Sequence, residues 1–339
     1  MRVIFVIFLF ILFASCNQKN KAPEVTKVDM QLKRFEQQFF TMDTANLLDG
    51  FQKLGSAYPQ FFPFFMNRIL NIPLRMENGQ IEPQAAFAFK QIIAGYKPVF
   101  DSIQLKYKTL DDTKAAIEKG FSYVKHYYPA YQVPELISYI ATFDAPGIVL
   151  TPQYLGIGLH QFAGKNFSIY QDPQLVEVYP VYISRRFDKE FIPVSAMKAV
   201  ADDIYPDSSM GRPLIEQMIE KGKQWYLAAH FLHGTHDSLI TGFTKKQLEW
   251  VQSNEGNVWG FLNSNHDVYT IDPAVIQDYI GEAPFTRGMP EGYAPGNIGQ
   301  WVGWKIVRQF AERNNKLSLK EVLATPAATI FQESRYKPK

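Results

Sequence analysis

Cysteine is nearly absent: the 339-residue chain carries a single one, Cys16. One thiol excludes an internal disulfide and a thiolate metal cluster, and it leaves the body of the chain without a thiol nucleophile. Charge of one sign is lacking too. Lys and Arg total 35 against 33 Asp and Glu, a net charge of +2, so the concentrated basic excess of a nucleic-acid binder is missing. Beyond Phe13 no apolar run approaches the roughly 20 residues that a membrane-spanning helix needs. No GxSxG elbow and no P-loop lysine occurs, and Gly156-Ile157-Gly158 has Gln161 where a dinucleotide fingerprint needs its third glycine. Aromatics, by contrast, are abundant. With 27 Phe, 18 Tyr and 5 Trp, 46% hydrophobic and 20% charged residues, the composition is that of a packed globular protein with a large core.

The chain opens Met1-Arg2, continues in an apolar run from Val3 to Phe13, and reaches Ala14-Ser15-Cys16. A basic start, a short apolar stretch and small residues at its end make a secretory signal peptide. The small pair before the lone cysteine resembles a bacterial lipobox, with Phe13 where leucine is more usual. A thiol can be alkylated to a diacylglycerol before cleavage frees its amine, so Cys16 is the expected lipidation site and mature N-terminus. Several acyl chains of the palmitate type, at about 0.8 kcal/mol per buried CH2, attach a protein to a membrane without a spanning helix. Residues 1–15 are thus read as signal peptide, 16–28 as a lipidated polar tether and 29–339 as a single globular domain. No aspartate follows Cys16 and no acidic run follows the tether, which points to the outer membrane and a body facing the periplasm.

Helical periodicity dominates that body. It predicts helices over Met30–Phe40, Leu47–Leu54, Phe61–Leu70, Gln84–Leu105, Thr113–Tyr128, Asp188–Ile204, Pro213–Leu232 and Trp301–Phe310. Thr244 with Gln247 and Ser318 with Glu321 read as capping boxes, the first opening a helix to about Asn265. Between the helical halves, Ile137–Phe143, Ile148–Thr151 and Tyr154–Leu159 read as short strands whose turn residues suit consecutive hairpins. The expected fold is an α-rich α+β class, with a small antiparallel or mixed sheet at about residues 137–159 surrounded by helices.

Several stretches together resemble the GldB family of gliding-motility lipoproteins: the Cys16 lipobox, GIGLHQFAG from Gly156, YPVYISRRFDKEFI from Tyr179 and GKQWYLAAHFL from Gly222. APFT from Ala283, PGNIGQWVGWKIVRQF from Pro295 and SRYKP from Ser334 complete the set. The resemblance implies a Bacteroidota outer-membrane lipoprotein that serves gliding motility, held to the membrane by Cys16 and bound to envelope or gliding-machinery proteins. It also implies distant kinship to zincin-like metallopeptidases, which carry HExxH where this chain has Gly158–Gly164.

HExxH works because two histidines one helical turn apart bind zinc while the glutamate activates water. Here His160 matches the first histidine, but Gln161 replaces the glutamate and Gly164 the second histidine. The expectation is therefore a degenerate zincin-like scaffold with no catalytic residues and no cofactor, a pseudoenzyme that binds protein or peptide. Its possible groove residues are His160, Glu220, Trp301 and Trp304; Glu216 shares a helix face with Glu220. The alternative is a metal-dependent hydrolase using His230, His233 and His236, an HxxHxxH cluster with three potential zinc ligands. Ser195-Ala196-Met197-Lys198 and Ser334-Arg335-Tyr336-Lys337 both match SxxK without an accompanying KTG. The aromatic stretch Tyr58–Phe65 fits either core packing or an interface.

Overall fold

The structure is a computed structural model describing residues 23–77, 80–265 and 268–339; Cys16 and the stretch read as a signal peptide lie outside the described residues. Its centre is a four-stranded mixed sheet of β1 (Leu32–Arg34), β4 (Glu135–Tyr139), β5 (Ile148–Leu150) and β6 (Tyr154–Gly158), in the order β1-β4-β6-β5. A separate two-stranded ladder joins β2 (Met76–Glu77) to β3 (Gln80–Ile81). Helices surround the sheet, giving the α-rich α+β class.

The topology corrects the hairpin expectation. Strands β4 and β6 are parallel, with Ile137 opposite Gly156, and of β4, β5 and β6 only β5–β6 form a hairpin, with Val149 opposite Gly156. The reason lies in burial: Leu136, Ile137, Ser138 and Tyr139 are all at most 1% exposed. A strand covered on both faces and paired on both edges is a central strand, which reads as a continuous apolar run. Strand β1 also departs from expectation. The segment read as one helix from Met30 is a strand to Arg34, parallel to β4, and only Phe35–Phe40 is helical. Buried Glu36 closes that junction, accepting from Arg34 Nε at 2.5 Å and from Ser138 Oγ at 2.7 Å.

Both capping boxes are formed. Gln247 N donates to Thr244 Oγ1 at 3.2 Å and Thr244 N to Gln247 Oε1 at 3.0 Å; Ser318 and Glu321 repeat the exchange. The first helix stops at Ser253, however, and a second runs Glu255–Asn265. Asn254 makes the break, its backbone leaving the helical region while its N and Nδ2 both donate to the Trp250 carbonyl. The aromatic stretch is core. The Phe35 ring meets Tyr58, Phe61 and Phe65 at centroid separations of 5.1, 5.0 and 4.8 Å, a largely edge-to-face cluster. Helix Leu214–Phe231 is the hub of the second half, packing on Ile298–Arg313, Phe191–Ile204 and Asp111–Tyr127. Among the described residues no helix is long and apolar enough to cross a membrane.

Candidate functional site

The stretch after β6 is a short turn, with a single 3-10 turn over Leu159–Gln161 and Phe162 already outside it. His160 and Gly164 are therefore not presented one helical turn apart, as a two-histidine zinc site requires. His160 is fully buried. Its Nδ1 accepts from Ala141 N at 3.2 Å, which makes Nε2 the protonated nitrogen donating to the Ala145 carbonyl at 3.1 Å. Burial pushes the ring down to about 4, while the Ala145 carbonyl and Asp144 pull weakly upward. The unfolded chain, titrating near 6.5, therefore binds a proton that the fold excludes. Stability is complete above pH 6.5 and falls as the pH drops towards 4, by about 3 kcal/mol from this one ring. Urea denaturation at pH 7, 5.5 and 4.5 should show that slope, flattened in His160→Gln; equal slopes in both would remove His160 as the cause.

Gln161 sits differently. Its Nε2 donates to the Ala145 carbonyl at 2.8 Å and to Tyr179 Oη at 2.7 Å, while Tyr179 Oη donates to the Phe143 carbonyl. The amide thus ties the turn after β6 to the loop before β5 and to Tyr179 at the end of helix Pro173–Val178, and forms the floor of an open pocket of about 360 Å3. Gly147 and Ile148 at the start of β5, Ile183, Arg186, Phe191, Ser195 and Lys198 complete its wall. Arg186 there is held by two bonds to Glu282, at 3.0 and 3.1 Å. Lys198 lies over the Trp225 ring at 5.0 Å. Desolvation, with Arg186 adding repulsion and Glu282 and Asp202 pulling back upward, lowers its ammonium to about 8.

At Val194 and Leu239, which line both, this pocket meets a larger cleft of about 790 Å3. Helix Asp111–Tyr127 supplies Thr113, Ala116 and Lys119; the loop before helix Phe191–Ile204 supplies Asp188, Lys189 and Glu190; the end of helix Leu214–Phe231 supplies Phe231. Lys106 enters from the end of helix Pro83–Lys106 and donates to the Ala163 carbonyl at 2.8 Å. It can do so because the next residue is Gly164: a Cβ there would fall 2.3 Å from Lys106 Nζ, and its φ of +106° disfavours any side chain. The glycine found where an HExxH motif would have its second histidine is required by backbone and space.

The other sequence candidates fall elsewhere. Glu220, Trp301 and Trp304 are buried. Glu220 is ion-paired to Lys223 at 2.9 Å, and Glu216 faces Arg212 at 3.8 Å. Trp301 and Trp304 pack in the core with Arg308 over the Trp304 ring at 4.9 Å. His160, Glu220 and Trp301 line none of these hollows, whereas Trp304 borders a separate one with His230 and Arg308. The three histidines have separate engagements. His230 Nδ1 donates to the Tyr226 carbonyl at 2.8 Å, and His233 stacks on Tyr123 at 5.4 Å. His236 caps the following helix, its Nδ1 accepting from Ser238 N at 3.2 Å. Among the described residues no group of three or more His, Cys, Asp or Glu is placed to hold a metal ion. His230, His233 and Trp304 share a hollow of about 390 Å3 with Pro23, the first described residue, and that hollow adjoins the large cleft through Leu232, His233 and Thr235. Of the SxxK matches, Ser334 is buried and donates to the Phe331 carbonyl, while Ser195 and Lys198 both face the groove.

The combined groove is bounded by three of the stretches on which the family resemblance rests: Gln161 and Phe162, Ile183 to Phe191, and Phe231 to Leu232. The family model described as gliding motility protein GldB matches residues 16–338, from the lone cysteine to the penultimate residue. The chain belongs to the GldB family. Compared with curated proteins and with solved structures, it finds no match. For this GldB-family chain four of the five groove lysines, Lys106, Lys119, Lys165 and Lys189, escape sequence reasoning. They come from separate elements, and on each element alone a lysine looks like part of a solvated face.

Proposed function

We propose that this GldB-family protein is an outer-membrane lipoprotein, anchored through Cys16 with its body in the periplasm, that supports the gliding and envelope machinery by binding another protein in the groove. The observation that carries this reading is the composition of the groove. It is open, partly apolar and bordered by the stretches shared with the family. Its floor residue Gln161 spends its amide on the Ala145 carbonyl and the Tyr179 hydroxyl. An amide so held does not accept a proton from water, which supports a binding role over a hydrolytic one. The absence of a spanning helix among the described residues fits attachment by lipid.

The reading is tested with a photo-crosslinking amino acid placed at Ser195 or Ile183 in the groove and, as control, at Met210, which is 95% exposed elsewhere. In living cells the groove positions should each yield one discrete crosslinked envelope protein and Met210 none. Wild-type levels of protein with no groove-specific product would sink the proposal.

A further inference from the structure

We infer that the groove recognises an acidic and apolar peptide segment of its partner, with carboxylates seated against Lys106, Lys119 and Lys198 and aliphatic side chains between them. The inference rests on the reading that the groove binds a protein, and it adds the chemistry of what is bound.

Three observations carry it. First, the cations along the groove fall into two sets. Lys165 and Lys189 are neutralised by Asp188 at 3.6 Å and Asp112 at 3.3 Å, and Arg186 by Glu282. Lys106, Lys119 and Lys198 form no ion pair among the described residues; Asp188 acts on Lys106, and Glu282 and Asp202 on Lys198, only at longer range. Lys106 donates to the Ala163 carbonyl, Lys119 to the His233 carbonyl at 3.1 Å, and Lys198 lies over an indole face. An ammonium carries three donors, so each keeps capacity for a carboxylate. Against these three, Glu190 is the one lining acid without an ion pair, and it sits exposed at the rim. Asp188, the acid acting on Lys106, is already committed to Lys165 through both its side chain and the Lys165 backbone N–H.

Second, apolar side chains line both hollows together with the cations: Ile183 and Phe191 the smaller, Phe231 and Pro193 the larger, and Val194 and Leu239 both. Such walls suit aliphatic side chains and give little to a densely hydrated polyanion. Third, the groove is two hollows that meet at Val194 and Leu239, with volumes of about 790 and 360 Å3, room for several residues of a chain. Separated carboxylates with apolar residues between them match that mixture of surfaces.

The test uses the purified protein and fluorescence anisotropy with three labelled peptides: alternating Glu-Leu, Gln-Leu and Lys-Leu. Decanoate serves as a small amphiphilic competitor. The Glu-Leu peptide should bind and the Lys-Leu peptide should not. Binding should weaken about tenfold in the double variant Lys106→Met/Lys119→Met, equivalent to about 1.4 kcal/mol, and should weaken as salt is raised. Both lysines are exposed, so the variant should keep an unchanged melting transition, to be checked alongside. Equal binding of Glu-Leu and Gln-Leu peptides overturns the inference, as does a double variant that binds like the parent. Decanoate binding with no peptide binding overturns it in favour of a small-molecule site. Groove crosslinks that persist in cells without any preference for acidic peptide leave the partner-binding reading standing and remove this inference alone.

Discussion

Gly303→Ala should destabilise the fold by about 3 kcal/mol or more, a large part of the roughly 5–15 kcal/mol available to a domain. Helices Leu214–Phe231 and Ile298–Arg313 touch backbone to backbone at Gly222 and Gly303. A Cβ at Gly303 would lie 1.7 Å from the Met218 carbonyl oxygen, and one at Gly222 would lie 2.3 Å from the Gly303 carbonyl carbon. The obstructing atoms are helical backbone, so no rotamer change relieves the clash. The helices must separate, and Trp301 and Trp304, buried on either side of Gly303, lose their packing with them. Urea denaturation followed by tryptophan fluorescence measures the effect. Gly95→Ala is the matched control, since a Cβ there meets nothing within 4 Å, and it should stabilise helix Pro83–Lys106 by about 0.5–1 kcal/mol. Equal midpoints for Gly303→Ala and the parent would disprove the close-contact account. Gly222→Ala should be similarly costly, and the two together should cost less than their sum because they open the same interface.

Lys223→Met should lose about 3–5 kcal/mol. The Lys223 side chain is 2% exposed and that of Glu220 7%. Its ammonium donates to Glu220 Oε1 at 2.9 Å, to Tyr205 Oη at 3.1 Å and to the Thr325 carbonyl at 2.8 Å, while Tyr205 Oη donates to Glu220 Oε2 at 2.7 Å. Desolvation pulls the Lys223 pKa down and Glu220 pulls it back up. The network joins helix Leu214–Phe231 to the end of helix Phe191–Ile204 and to the loop before helix Ala327–Ser334. Removing the ammonium leaves a buried carboxylate with one neutral donor. Replacing both partners, Lys223→Met with Glu220→Leu, should recover much of the loss, leaving the smaller cost of an unpaired Thr325 carbonyl and Tyr205 hydroxyl. A double variant no more stable than Lys223→Met would show that packing, not the stranded charge, sets the cost.

These two sites differ in how far the chain announces them. Gly299 and Gly303 stand four apart inside an apolar helical pattern, a spacing that itself suggests close helix approach, and both meet neighbouring backbone. The long helices and both capping boxes are equally legible, because their signals are local. Strand β1 is not: three residues take extended form through a partner about 100 positions later, and nothing within Leu32–Arg34 records that partner. The break at Asn254 is a local competition between side chain and backbone that periodicity overlooks. In the groove, Gln161 and Gly164 could be singled out from their stretch, but Lys106 could not. Its significance comes from Gly164, which is 58 positions away and leaves room for its ammonium.

Pro23 borders the hollow that adjoins the large cleft. In the lipoprotein reading this fixes more than attachment. Seven residue steps separate Cys16 from Pro23, a leash of at most about 25 Å when fully drawn out. The body then cannot wander from the bilayer or swing the cleft far from it. A partner rooted in the same membrane would meet the cleft at a high effective concentration, and modest intrinsic affinity would suffice. A freely diffusing periplasmic protein with the same acidic segment would have no such advantage, so selectivity would come from where the partner is rooted as well as from what the groove holds.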